Sequence, residues 1–282
     1  MAGWRLTKIL CAGGLCLVLS GWCLGVDQSQ RQTLERLNAT IQQNPRQVDA
    51  YLYRGLIYQD RGEFERARTE FEIAIELDPH NADAYSLRAI VWQELGKLDK
   101  AEADFSRAIK LDPQDASNYF LRGILRRQRG ELKLAIADWN ETLRLEPQNA
   151  EALMHRALAL GMQEKFEGAL KDCAAALRAD PQLYPVWQLQ AWIRGTCPQS
   201  KFRDGPRAVM AARKACELSD WQDSLAIETL AAAYAESGDF KSALRYQNKA
   251  MTMLRPGSGP VADARLRLKL YESQKPFRDV TP

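Results

Sequence analysis

Residues equipped for chemistry are few in this sequence of 282 residues, which holds two histidines, His80 and His155, and six cysteines. Acid–base or nucleophilic catalysis needs a base within hydrogen-bonding reach of a nucleophile, and a metal site needs several His, Cys or carboxylate ligands at short spacing. His80 follows the helix-ending Pro79, and His155 stands inside a helical pattern with no nucleophile beside it. The densest candidate is TCPQSKFRDGPRAVMAARKACEL at 196–218, which carries Cys197, Cys216 and an Arg-Asp-Gly turn. Cys197 and Cys216 could form a disulfide in an oxidising compartment. Spacing opposes it: Cys216 falls about ten residues into a helix, roughly 15 Å from its start, and a disulfide needs Cα atoms within about 7 Å. No histidine accompanies the pair, so a metal site is not expected. Phosphate-cradling glycine loops are also missing, and Gly257 and Gly259 in RPGSGP read as a hinge. The sequence therefore predicts no enzyme, no cofactor and no metal.

What positions these residues is a repeat. Pro45, Pro79, Pro113, Pro147 and Pro181 stand 34 residues apart, and a fixed period of this kind marks an array of small structural units. The same beat carries Gly55, Ala89, Gly123 and Ala157; Ala67, Ala101, Ala135 and Ala169; and Phe71, Phe105, Trp139 and Cys173. In AYLYRGLIYQDRGEFERARTEFEIAIELDP, small Gly55 and Ala67 mark where two helices cross. Gly62 between them can take the positive φ that reverses the chain. Pro79 ends the second helix because it has no N–H to continue the ladder. This order resembles the tetratricopeptide repeat, two antiparallel helices per unit. The resemblance implies an all-α solenoid of helical hairpins wound as a right-handed superhelix, serving as an interaction scaffold.

Carried through the chain, the frame predicts a lone capping helix at about 30–44 within a linker segment 26–47. Repeats follow at 48–81, 82–115, 116–149 and 150–183. The fifth, 184–223, carries six extra residues, read as a loop at 196–205 before a helix starting near Pro206 with Asp204 as its cap. A sixth unit at 224–257 and a capping helix with tail at 258–282 complete the array. In that last segment VADARLRLKLYESQ could cap the sixth unit or present Leu266, Leu268, Leu270 and Tyr271 to another copy. The stretch from Thr196 onward resembles exported tetratricopeptide proteins of Planctomycete-type bacteria, with Gln199 where those have Asp.

Residues 1–25 differ from the rest. Arg5 and Lys8 precede an apolar run from Ile9 to Leu24, the pattern of an export signal. That run is shorter than the about 20 residues of a membrane span. Cleavage after Gly25, an uncleaved membrane anchor and lipidation at Cys23 are the three readings. The chain is expected outside the cytoplasm, in the periplasm or beyond. A net charge of +3 lacks the excess of a nucleic-acid binder.

Two recurring sets of side chains carry the functional expectation. Arg54, Arg88, Arg122 and Arg156 recur with Glu70, Asp104, Asp138 and Asp172 sixteen residues later, while the fifth and sixth units have Gln190 with Ala211 and Leu230 with Tyr246. Members that come and go together predict an Arg–carboxylate bond joining the two helices of each unit. The resemblance further implies peptide binding along a concave face made by the first helices. The strip there would comprise Leu52, Leu56, Ile90, Phe120, Ile124, Arg127, Met154, Leu158 and Trp192. Its partner is expected to be a protein or peptide, apolar in part. The alternative is a structural or self-assembling element of an envelope complex, with homo-oligomers.

Overall fold

The computed structural model describes residues 22–254 and 259–279. Among them every regular element is helical, as the repeat predicts. The expected signal or anchor at 1–25 lies outside the described residues up to position 21; of the hinge expected in RPGSGP at 255–260, residues 255–258 also lie outside them, and Gly259 begins the last helix. No helix among the described residues is long and apolar enough to cross a membrane.

The chain divides into two compact units, one ending at Leu95 and the other beginning at Gly96. The first contains α1 (Trp22–Gln43), α2 (Val48–Asp60), α3 (Phe64–Leu77) and α4 (Ala82–Glu94). The second contains α5 (Leu98–Leu111), α6 (Ala116–Gln128), α7 (Leu132–Leu145), α8 (Ala150–Met162), α9 (Phe166–Ala179) and α10 (Tyr184–Thr196). A 3-10 turn, Ser200–Phe202, follows, then α11 (Gly205–Leu218), α12 (Ser224–Glu236), α13 (Phe240–Met253) and α14 (Gly259–Glu272).

The connections show why the repeat breaks where it does. At the end of α3, Asp78 accepts a hydrogen bond from the backbone N–H of His80 across Pro79 (3.0 Å), and Asn81 then caps α4 by accepting from Ala84 N–H (2.9 Å). Asp112 and Asp115 repeat the arrangement before α6, as Asp180 repeats its first half before α10. Such side chains satisfy amides that the helix leaves orphaned. Inside the hairpins Gly62, Gly96, Gly130 and Gly238 take positive φ, and Glu164 at φ 57° stands at the equivalent place between α8 and α9.

In the first unit α1 is longer than the sequence suggests, and its Ile41 packs on a core of Tyr51, Leu52, Ala67, Phe71, Ala74 and Leu87. The crossing at Gly55 is set by a ring: a Cβ there would meet Phe71 at 2.5 Å. In the second unit Gly123 stands in the same relation to Trp139, again at 2.5 Å. In α8 and α9 the pair becomes Ala157 and Cys173, both fully buried, so a smaller partner admits the extra methyl. First helices touch directly from α6 to α8 to α10 to α12, which aligns their outward residues on one face.

The far end packs differently. Ala191, Ala208, Ala211, Ala212, Ala215, Cys216, Ala226 and Ala233 form one cluster with Ile227 and Leu230. A Cβ on Gly195 of α10 would lie 3.5 Å from the Ala233 backbone of α12. Beyond it Tyr271 of α14, fully buried, packs on Ala231, Ala235 and Ala243. This makes α14 a cap, and of its four candidate contact residues Leu266 is the one left strongly exposed, at 56 %.

Candidate functional site

The arginine positions resolve into junctions of three helices. Arg122 donates from Nη2 and Nε to the two carboxylate oxygens of Asp138 (2.7 and 3.1 Å), and Arg156 does the same to Asp172 (2.8 and 2.7 Å). Arg54 reaches Glu70 through Nη2 alone, at 2.8 Å. In all three, Nη1 points back to the preceding second helix. It donates to Asn38 from Arg54 (2.8 Å), to Ser106 from Arg122 (3.0 Å) and to Asn140 from Arg156 (2.8 Å). Each arginine therefore binds its own hairpin and the one before it. Arg88 lies in the first unit and Asp104 in the second.

The sequence pairing with the residue sixteen positions later overlooked the partner sixteen positions earlier. Its signal was present: Asn38, Glu72, Ser106 and Asn140 recur at the period, and Ala174 stands there before Gln190. The carboxylates Glu70, Asp138 and Asp172 keep 11, 4 and 7 % of their side-chain surface exposed. Arg122 and Arg156 meet these carboxylates with two bonds each, where an unpaired charge would be costly, while Arg54 makes one and leaves its Nε without an acceptor. Arg126, one turn after Arg122, joins the same junction through Glu102 (2.9 Å) and Asp138 (2.9 Å).

Arg127 is different. Among the described residues it has no ion pair, and its Nε is buried without an acceptor. Ile124, one turn earlier on α6, is half-buried, as are Met154 and Leu158 on α8. His155 lies between Phe120 and Trp139, 5.6 Å from each ring and nearly parallel to the indole. Burial, and secondarily the Arg127 charge, push its pKa down to about 4, so it is neutral at pH 7.

The expected binding strip is only partly surface. Leu52 and Phe120 are each 9 % exposed and belong to the core, Leu52 beside Ile41 of α1 and Phe120 under His155. Leu56 and Ile90 in the first unit are half-buried. Trp192 is taken up by the end of the chain. Its indole Nε1 donates to the Asp279 carboxylate at 2.6 Å, and its ring lies 5.9 Å from Phe277.

No disulfide joins Cys197 to Cys216: both, with Cys173, are free and buried. The reason is direction. Cys197 packs toward α9, with Ala169 and Ile193, whereas Cys216 packs toward α12, with Ile227 and Leu230. Burial raises the Cys173 and Cys216 thiols to about 12, which leaves them protonated and unreactive at neutral pH. The inserted loop is pinned by Arg203, whose Nη1 donates to the carbonyls of Cys197 (2.9 Å) and Pro198 (3.0 Å) and whose Nε pairs with Glu236 (3.1 Å). Asp204 caps α11 by accepting from Arg207 N–H (3.0 Å). The described residues contain no group of three or more His, Cys, Asp or Glu placed to hold a metal.

Comparison with known proteins agrees with this architecture. The family profile described as Tetratricopeptide repeat matches residues 54–116 and 120–184. No curated protein matches the chain. Among solved structures the chain is similar to pilF of Pseudomonas aeruginosa, with 21 % identity and a TM-score of 0.63 over 78 % of this chain and 96 % of that one. PilW, a type IV pilus biogenesis factor, gives 18 % and 0.64 over 77 and 98 %. MamA gives 21 % and 0.52 over 59 and 97 %. At these identities the likeness is one of fold.

Proposed function

We propose that this chain, built on tetratricopeptide repeats at 54–116 and 120–184, is a non-catalytic interaction scaffold that binds a partner segment on the face lined by its first helices. Arg127 carries the reading. Arg54, Arg122 and Arg156 are neutralised by carboxylates, whereas Arg127, beside half-buried Ile124, Met154 and Leu158, has no ion pair among the described residues. A guanidinium with no carboxylate of its own can donate a charge-assisted bond to an incoming carboxylate. The fitting partner is an extended or helical peptide that offers apolar side chains and a carboxylate.

The partner is to be sought outside the cytoplasm, because residues 1–25 have the composition of an export signal. N-terminal sequencing of the chain from its source should begin at Val26, and a chain still starting at Met1 overturns cleavage. The binding test is co-purification from the envelope fraction, comparing wild type with Arg127→Glu and Met154→Asp. A partner retained by wild type and lost from both variants, with helicity unchanged, supports the face. A partner held equally by all three refutes it.

A further inference from the structure

The last described residues behave as a bound peptide. After α14 the chain passes Lys275 and Pro276 and lays Phe277, Arg278 and Asp279 against α10 and α12, with four directed contacts. The Asp279 carboxylate accepts from the Trp192 indole (2.6 Å), and the Asp279 N–H donates to the Thr196 carbonyl at the end of α10 (2.9 Å). Arg278 pairs with Glu236 at 2.7 Å. Phe277 lies 5.9 Å from the Trp192 ring, with the Arg267 guanidinium 5.6 Å from its own centroid. Glu236 is also the residue that Arg203 of the inserted loop holds from the other side, at 3.1 Å. The insertion thus fixes the carboxylate that receives the segment.

We infer that this part of the first-helix face is a recognition site for an extended segment with an aromatic residue two places before a carboxylate, that the chain's own Phe277–Asp279 fills it, and that a partner of the same chemistry enters by displacing them. The inference deepens the proposed scaffold role and rests on it, but concerns a different stretch of the face from Arg127. Its chemistry is read from the contacts: an aromatic ring for Trp192, a carboxylate for the indole N–H, a backbone N–H for the Thr196 carbonyl and a cation for Glu236. Because the occupant is tethered by only a few residues beyond α14, its effective concentration is on the order of millimolar. A free peptide competes poorly until the tether's own contacts are weakened.

The test uses the full-length chain and a fluorescently labelled peptide of sequence SQKPFRDVTP, residues 273–282. With Phe277→Ala and Asp279→Asn together, fluorescence anisotropy should show binding at least about tenfold tighter than to wild type, and adding Trp192→Ala should abolish it. Equal binding to wild type and the double variant, or none to a double variant of unchanged helicity, overturns the inference. Hydrogen exchange on wild type gives a check that needs no variant. The Asp279 amide should be protected, and exchange within the mixing time overturns the inference equally. If the partner from the envelope fraction requires Arg127 but is indifferent to the double variant, the scaffold reading stands and this site falls alone.

Discussion

Between α6 and α9 each first helix is tied to its neighbours by an arginine that bonds forward to a carboxylate and back to Ser106 or Asn140. From α10 onward the same positions hold Gln190 and Leu230, and the helices close on alanine and glycine instead. The difference is one of spacing. A guanidinium needs room for its plane and a full set of acceptors. Without it the α10 backbone comes near enough to Ala233 that a Cβ on Gly195 would make ordinary contact at 3.5 Å. The loss of the ladder at the fifth unit and the alanine-rich packing there are therefore one change. The polar bond then reappears in another form: Glu228 of α12, 4 % exposed, receives Arg267 from the capping helix at 2.7 Å.

The largest effect should separate these two modes. Arg156→Met strands the Asp172 carboxylate and should cost about 3–5 kcal/mol in denaturant unfolding, most of it recovered when Asp172→Leu is added. Arg122→Met should cost less, since Arg126 still donates to Asp138. Gln190→Met in the alanine region should change stability by under about 1 kcal/mol. Equal losses at 156 and 122 would break the network interpretation.

Acid should divide the regions next. His155, between Phe120 and Trp139, has a folded pKa of about 4 against 6.5 when free. Between those values the unfolded chain binds more protons, so stability rises with pH across the window. The contribution is complete above about 6.5 and lost as pH falls through about 4, a span worth roughly 3 kcal/mol. Melts of wild type and His155→Phe should thus diverge by up to that amount between pH 7.5 and 4 in favour of Phe. Because no histidine lies beyond residue 155, hydrogen exchange at pH 4.5 should show this variant protecting α6–α9 rather than α11–α13.

Glycines probe the tighter region. A Cβ at Gly205 would stand 2.6 Å from the Ser237 hydroxyl and 2.9 Å from its backbone, so Gly205→Ala should cost about 1–3 kcal/mol. Gly195→Ala, with ordinary contact distances, should cost under about 1 kcal/mol. A reversal of that order in thermal melts would mean that α10 and α12 do not close on each other as described.

Much of this was legible because a period repeats its own evidence. Hairpins, turn glycines and the forward half of the ladder follow from residues 34 apart, and each repeat checks the last. What sequence did not yield was long-range or unrepeated. The backward bond to Asn38, Ser106 and Asn140 was hidden because those residues differ in type while sharing a role. The fate of Trp192 depends on Asp279, 87 positions away, a contact that no local pattern encodes. Leu52 and Phe120 read as ligand-facing from their place in the repeat, but neighbours outside their own hairpin, Ile41 and His155, cover them.

The smallest expected effect tests the turn that both regions share. Gly62, Gly96, Gly130 and Gly238 reverse the chain with positive φ, and Glu164 does so at 57° despite its Cβ. A non-glycine residue in this conformation costs about 1–2 kcal/mol, while glycine loses about 0.5–1 kcal/mol more backbone entropy on folding. The two terms oppose each other and the first is larger, so Glu164→Gly should stabilise by roughly 0.5 kcal/mol. Gly238→Glu at the corresponding turn between α12 and α13 should destabilise by a similar amount. Paired melts that moved in the same direction would show that surroundings, rather than the left-handed backbone, decide what these turns accept.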